Sequence, residues 1–183
     1  MLVSTGPLPR GAVYAVKSDG WRSHCQIDGR SGLVRLVTRS GRYVERAVPE
    51  LAAAAAALDG REAVLDGELI AGDGLPPSFY RLGGRMGAST ALAIERGRRL
   101  TPVTFVAFDL LWLDGRFLLG DSYRQRRAAL DALEFAGPHW VTTPGLSMAR
   151  RCSKPARPWA RRALSRVVST IRRIFRAGGA GPS

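Results

Sequence analysis

Short apolar runs alternate with turn-forming clusters from Ala12 onward. Ala12 to Lys17 predicts a short strand, Ser18-Asp19-Gly20 a tight turn, and Trp21 to Ile27 a second strand. Asp28-Gly29-Arg30-Ser31-Gly32 reverses the chain into a third, Leu33 to Thr38, which completes a hairpin meander. Pro49 suits the first turn of a helix that runs through the alanine block to Leu58, where Asp59-Gly60 stops it. Glu62 to Ala71 predicts a fourth strand, and because strand side chains repeat every second residue, Asp66 and Glu68 share one face. Ser78 is expected to cap a short helix through Leu82, while Gly83 to Arg99 shows no clear period. Val103 to Leu113 is apolar on both faces, the pattern of an interior strand. Asp114-Gly115 turns the chain, and Asp121 is expected to start an amphipathic helix reaching Leu133. Antiparallel hairpins interleaved with helices, with no regular beta-alpha-beta unit, predict an α+β domain.

Charge divides this pattern in two. The net charge of +13 suggests a polyanionic partner, but residues 1–145 hold 18 basic against 15 acidic side chains, whereas 146–183 hold 10 basic and no acidic ones. The expected organisation is therefore a mildly basic domain over 1–145 and an arginine-rich tail over 146–183. Within the tail, Leu164, Val167, Val168, Ile171, Ile174 and Phe175 recur at helical spacing among Arg161, Arg162, Arg166, Arg172, Arg173 and Arg176. Such a helix suits a nucleic-acid backbone, an anionic membrane surface or the edge of the preceding domain; out-of-frame translation of an arginine- and alanine-biased gene would give the same composition. An apolar content of 45% is ample for a core, and the longest apolar run, Leu51 to Leu58, is too short to cross a bilayer. With no secretory pattern at the start and two cysteines, Cys25 and Cys152, in unrelated settings, the expectation is a cytoplasmic protein with reduced thiols and no membrane span.

Lys17 is the only lysine before Lys154 in a chain that otherwise takes its positive charge from arginine. An arginine stays protonated, whereas a desolvated lysine can lose its proton and act as a nucleophile. Lys17 opens the run Lys17-Ser18-Asp19-Gly20-Trp21-Arg22. Three further segments follow in order: Thr38-Arg39-Ser40-Gly41, Asp66-Gly67-Glu68 and Phe108-Asp109-Leu110-Leu111. Each has an ordinary reading as well. Phe108 fits a core position, Asp66 and Glu68 fit carboxylates that are solvated or paired with arginine, and Arg22 and Arg39 fit decoration of a hairpin. His24 and His139 stand alone and receive no catalytic role. No glycine-lysine-serine phosphate loop occurs.

In the order, spacing and residue types of these four segments, residues 12 to 145 resemble the adenylation domain of ATP-dependent DNA ligases, members of the covalent nucleotidyltransferase superfamily. Phe79-Tyr80-Arg81-Leu82 and Arg85-Met86 also resemble the helix that follows the third motif in bacterial ligases. The resemblance implies an ATP-grasp-like nucleotidyltransferase domain of antiparallel sheets with flanking helices, incomplete at its C-terminal end. It implies that Lys17 attacks the α-phosphorus of ATP, forms a lysyl-AMP and passes the adenylyl group to a 5′-phosphate at a nick in double-stranded DNA, in repair or recombination. By the same resemblance Arg22 lies near ribose and phosphate, and Arg39 reaches the ribose or the nucleic-acid backbone. Glu68 bonds the ribose or places Mg2+, and Phe108 stacks on adenine. Arg161, Arg162, Arg172 and Arg173 of the tail are further candidates for nucleic-acid contact, and a monomer is expected. A non-catalytic module that binds nucleotide or DNA, and RNA-ligation or capping chemistry on the same lysine, are the alternatives.

Two departures from the family pattern bear on activity. Ala15 stands where ligases usually carry a glutamate that helps recognise adenine, and no Glu-Gly-x-x-x-Lys strand occurs in the sequence. Without those lysines the charge gathering on the phosphate loses preorganised partners, so weak or absent turnover is expected of this chain.

Overall fold

A computed structural model of the protein describes residues 20–71 and 79–143. The expected strand Ala12 to Lys17, with the lysine itself, and the tail pattern from Leu164 to Phe175 lie outside the described residues.

The meander forms as β1 (Trp21–Asp28) and β2 (Leu33–Thr38), antiparallel with Cys25 opposite Leu36. β3 (Glu62–Ala71) pairs antiparallel with the other edge of β1, and β4 (Val103–Leu113) with β3. Beyond β4 lie two short strands: β5 (Arg116–Phe117), antiparallel to its end, and β6 (Trp140–Thr142), parallel to its start. The sheet order β2-β1-β3-β4-β5 leaves β4 interior, as its apolar faces predict. β5 and β6 are too short to show a period, and the sequence reading missed both.

One face of the sheet is covered and carries the core. Ile27, Leu36, Ala63, Leu65, Leu69 and Phe105 point to that side and pack against Leu51 and Leu58 of the Pro49–Leu58 segment, Leu82 and Met86 of α1 (Phe79–Met86), and Leu130 of α3 (Tyr123–Asp131). The alanine-rich segment is wound as a 3-10 helix rather than the α-helix that its propensity suggests, yet its buried positions, Glu50, Leu51, Ala54, Ala55 and Leu58, keep a four-residue repeat. Asp59, at φ 46°, ends it in the left-handed region.

α1 extends past Leu82, through Gly83-Gly84, to Met86. α2 (Ala91–Leu100) then starts at Thr90, whose side chain accepts the Ala93 N–H at 3.2 Å. α2 buries none of its residues, which is why no apolar stripe announced it. The last helix is capped one residue later than Asp121 and ends at Asp131, short of Leu133. Ser122 caps it reciprocally with Gln125, and the Gln125 Oε1 accepts the Ser122 N–H at 2.9 Å. Asp121 instead accepts from Arg116 Nη2, at 2.7 Å.

Two features of the core admit little change. A Cβ on Gly67 would stand 2.4 Å from the Phe105 ring and 2.6 Å from the Val106 carbonyl, so the ring packs where only glycine leaves room. Deep in the core Arg85 Nη2 donates to both oxygens of Glu50, at 3.0 and 2.8 Å, with both side chains at most 1% exposed. Glu50 Oε1 also accepts the Val103 N–H at 3.2 Å, which joins the 3-10 segment, α1 and β4 through one carboxylate. A Cβ on Gly97 would come within 2.9 Å of the Arg85 side chain, so α2 crosses the buried arginine at a glycine.

Removing one partner of such a pair strands a charge away from water. Glu50→Ala is therefore expected to lower unfolding free energy by about 3–5 kcal/mol, a loss measurable by urea denaturation. The double change Glu50→Leu with Arg85→Met should recover most of it.

Candidate functional site

The face of the sheet opposite the core carries the residues that the sequence singled out. The β1–β3 register sets Arg22 opposite Glu68 and His24 opposite Asp66, so all four side chains project to the same side. Arg22 reaches diagonally to Asp66, donating from Nε to Oδ1 at 3.1 Å and from Nη2 to Oδ2 at 2.6 Å. This two-pronged contact fixes the plane of the guanidinium. The Asp66 hydrogen bond, partly offset by burial, raises the Arg22 pKa above its ordinary value, so the cation is permanent. Asp66 is buried and Arg22 is half exposed, which leaves one side of the charge facing outward.

Gly20 marks the end of the site nearest Lys17 in the chain. Its N–H donates to Glu68 Oε1 at 3.1 Å, and a Cβ there would fall 2.2 Å from the Leu69 carbonyl. Gly20 is thus pinned to β3 at a point where only glycine fits.

Phe108 enters from β4 through a β-bulge. Asp66 pairs with Asp109 but Gly67 pairs with Ala107, so Phe108 is the extra residue, and the Arg22 guanidinium lies 5.6 Å from its ring centroid. α3 holds the bulge in place. Arg126 donates to Asp109 from Nε at 2.8 Å and from Nη2 at 2.6 Å, and the Tyr123 hydroxyl reaches the Phe108 carbonyl at 3.5 Å. Arg126 is raised by its hydrogen bond to Asp109 in the same way that Arg22 is by Asp66, and Tyr123 is raised by burial.

His24 lies beside the pair, its Nε2 3.7 Å from Asp66 Oδ1, too far for a hydrogen bond. Burial lowers its pKa most; Asp66 pulls it up and Arg22 pushes it down. Arg39 follows Thr38, which pairs with Ser23, and so enters at the same end of the sheet as Arg22 but two strands away from Glu68, in an exposed turn closed by the Gly41 N–H on the Thr38 carbonyl. Cys25 points into the core as a thiol whose pKa burial raises.

The structure therefore brings Arg22, Glu68 and Phe108 together and places Arg39 at the rim. Asp66 is paired with arginine, one of the two settings the sequence allowed it; sequence reasoning missed that Arg22 is the partner, the Asp109–Arg126 clamp, and the nearness of His24 to Asp66. The first could have been read from strand pairing, since Asp66 and Arg22 meet only once β1 and β3 are aligned. Chemically the face offers a fixed cation, a carboxylate and an aromatic ring, parts suited to a flat ring carrying an anionic group. Among the described residues no group of three acidic, histidine or cysteine side chains could hold a metal by itself.

Residues 7–142 match the family described as ATP dependent DNA ligase domain, and the chain belongs to that family. It is 41% identical over 132 residues to a probable DNA ligase of Streptomyces coelicolor, covering 71% of this chain and 25% of that protein. It is 42% identical over 144 residues to the multifunctional non-homologous end joining DNA repair protein LigD of Mycobacterium tuberculosis, covering 74% of this chain and 17% of that protein. A mycobacterial DNA ligase D solved with ATP and MES superposes with a TM-score of 0.55 at 40% identity, covering 70% of this chain and 39% of that one. The chain thus spans a quarter or less of the length of these curated relatives.

If Asp109 and Arg126 lock the bulge, their effects on stability should not add. A double-mutant cycle of Asp109→Ala and Arg126→Ala, followed by thermal unfolding, is expected to return a coupling of about 1–3 kcal/mol. Additive losses would mean that the bulge stands without the clamp.

Proposed function

We propose that this chain carries the nucleotide-loading chemistry of ATP-dependent DNA ligation, with Lys17 as nucleophile. The observation that carries the reading is the convergence of Arg22, Glu68 and Phe108 on one sheet face, beside Gly20, three residues after Lys17 in the sequence, in a chain 40% identical to a ligase solved with ATP. Unprotonated Lys17 Nζ attacks the α-phosphorus; a P–N bond forms, the P–O bond to the β-phosphate breaks, and pyrophosphate leaves. Phe108 stacks on the base, Glu68 accepts from the ribose hydroxyls, and Arg22, held by Asp66, faces the sugar and α-phosphate. Glu68 is the carboxylate suited to a Mg2+ ion carried in on the nucleotide phosphates, since such ions take one or two carboxylates and complete their shell with phosphate and water. A Mg2+ ion held there would neutralise triphosphate charge and polarise the α-phosphorus.

In the steps that follow, a DNA 5′-phosphate oxygen takes the adenylyl group from Lys17, and a 3′-hydroxyl then displaces AMP to close the backbone. Nicked or broken double-stranded DNA in repair is the acceptor suggested by the relatives' end-joining role, with Arg39 and the tail arginines Arg161, Arg162, Arg172 and Arg173 on its phosphates. The domain 1–145 and the basic segment 146–183 are read as separate parts of a monomer working in the cytoplasm. No described helix is long and apolar enough to cross a membrane. With Ala15 in place of a glutamate that helps recognise adenine, AMP loading should be slow.

Incubation with α-labelled ATP and Mg2+ should leave label that survives denaturation on the wild-type chain and none on Lys17→Ala. Phe108→Ala should raise the ATP concentration for half-loading roughly tenfold, in line with a stacking contribution of about 1–3 kcal/mol per base. No label on the wild type, with salt-sensitive DNA binding retained, would instead support a non-catalytic binding module.

A further inference from the structure

His24 is left over by this chemistry, and its placement gives it a task. It is the direct cross-strand partner of Asp66, and Asp66 Oδ1 is the atom that it shares with Arg22 Nε: the arginine lies at 3.1 Å and the imidazole Nε2 at 3.7 Å. Among the described residues the charged groups around the ring are few. Arg22 lies on its own strand, Asp66 and Glu68 on β3, and Asp109, committed to Arg126, beyond Asp66 on β4. On the β2 side Val37 stands directly opposite, with Arg35 opposite Gln26 and Arg39 past the strand end.

We propose that His24 is a positioning residue that sets, through Asp66, how firmly Arg22 is held: the neutral ring leaves the carboxylate forked onto the arginine, and the protonated ring draws Oδ1 to itself and loosens the fork. A neutral imidazole at 3.7 Å adds little to a carboxylate already bound twice by a guanidinium. An imidazolium there is a second cation competing for the same oxygen and repelling Arg22, and a movement of under an ångström would turn the contact into a charge-assisted hydrogen bond. Burial and Arg22 favour the neutral ring, so the fork is intact near neutral pH and weakens on the acid side. For its catalytic consequence the inference rests on the nucleotide-loading reading above; the contact itself does not.

The test has two arms, both on the full chain. In the first, the His24 ring and the Arg22 Nε–H are followed by NMR as pH falls. The histidine is expected to titrate below the ordinary value for the residue, and lower still in Asp66→Asn, which removes the group that attracts its proton. The Arg22 signal should shift with the same midpoint in the wild type and stay flat in His24→Gln. An Arg22 signal indifferent to the His24 titration overturns the proposal. In the second arm, the rate of labelling by α-labelled ATP is measured against pH. Both proteins should slow as Lys17 protonates, and below the His24 midpoint the wild type should fall away from His24→Gln by up to about tenfold per pH unit. Parallel profiles overturn a role for His24 in loading. Absence of label from both proteins would count against the proposed function alone, and the first arm would still decide the contact.

Discussion

The fork between Asp66 and Arg22 is the interaction on which the proposed chemistry rests, and it exists only because β3 serves two faces at once. Ala63, Leu65, Gly67 and Leu69 of that strand point into the core, while Asp66 and Glu68, between them, point away. A slip of one residue between β1 and β3 would bury both carboxylates and expose the leucines, so the hydrophobic core enforces the register that pairs the charges. Gly67, set between the two carboxylates, makes this possible by letting the Phe105 ring close against the backbone on the core side. One register therefore sets both the packing at Gly67 and the pairing of the carboxylates on either side of it.

Three arginine–carboxylate pairs hold the domain, each in a different solvent setting. Glu50–Arg85 is fully buried and ties the 3-10 segment to α1 and β4, so it serves cohesion and its loss is costly. Asp109–Arg126 is mostly buried and holds a helix against a β-bulge, fixing where Phe108 enters the face. Asp66–Arg22 is buried on the acid side and half open on the basic side, the arrangement that keeps a cation rigid while presenting it outward. The abundance of arginine that looked like a surface bias is, at these three positions, a structural choice for a planar, two-pronged donor.

Much of this fold was legible as pattern. The bounds of β2, β3 and β4 follow from apolar alternation and from glycine turns, and the shared face of Asp66 and Glu68 follows from strand period alone. Illegible were elements without a period: β5 and β6 are two and three residues long, and α2 buries nothing. The start of α3 was misplaced by one competing signal, since Asp121 and Ser122 are both good caps and only Ser122 has Gln125 in reach. Arg22, Glu68 and Phe108 emerged as candidates from motif order, and the β1–β3 register and the β4 bulge set them on one face of the sheet. The role of Asp66 and the nearness of His24 required the β1–β3 register, a long-range fact that no local pattern encodes.

On the proposed function, the sheet face opposite the core receives the nucleotide. Adding ATP and Mg2+ to isotope-labelled protein and following amide, side-chain and methyl signals asks this directly. Resonances of Arg22, His24, Glu68 and Phe108 should move together and saturate at one concentration, while those of Leu36, Leu51 and Leu65, on the covered side, stay in place. Saturable shifts confined to another surface, with the Arg22 and Phe108 signals unmoved, would contradict it.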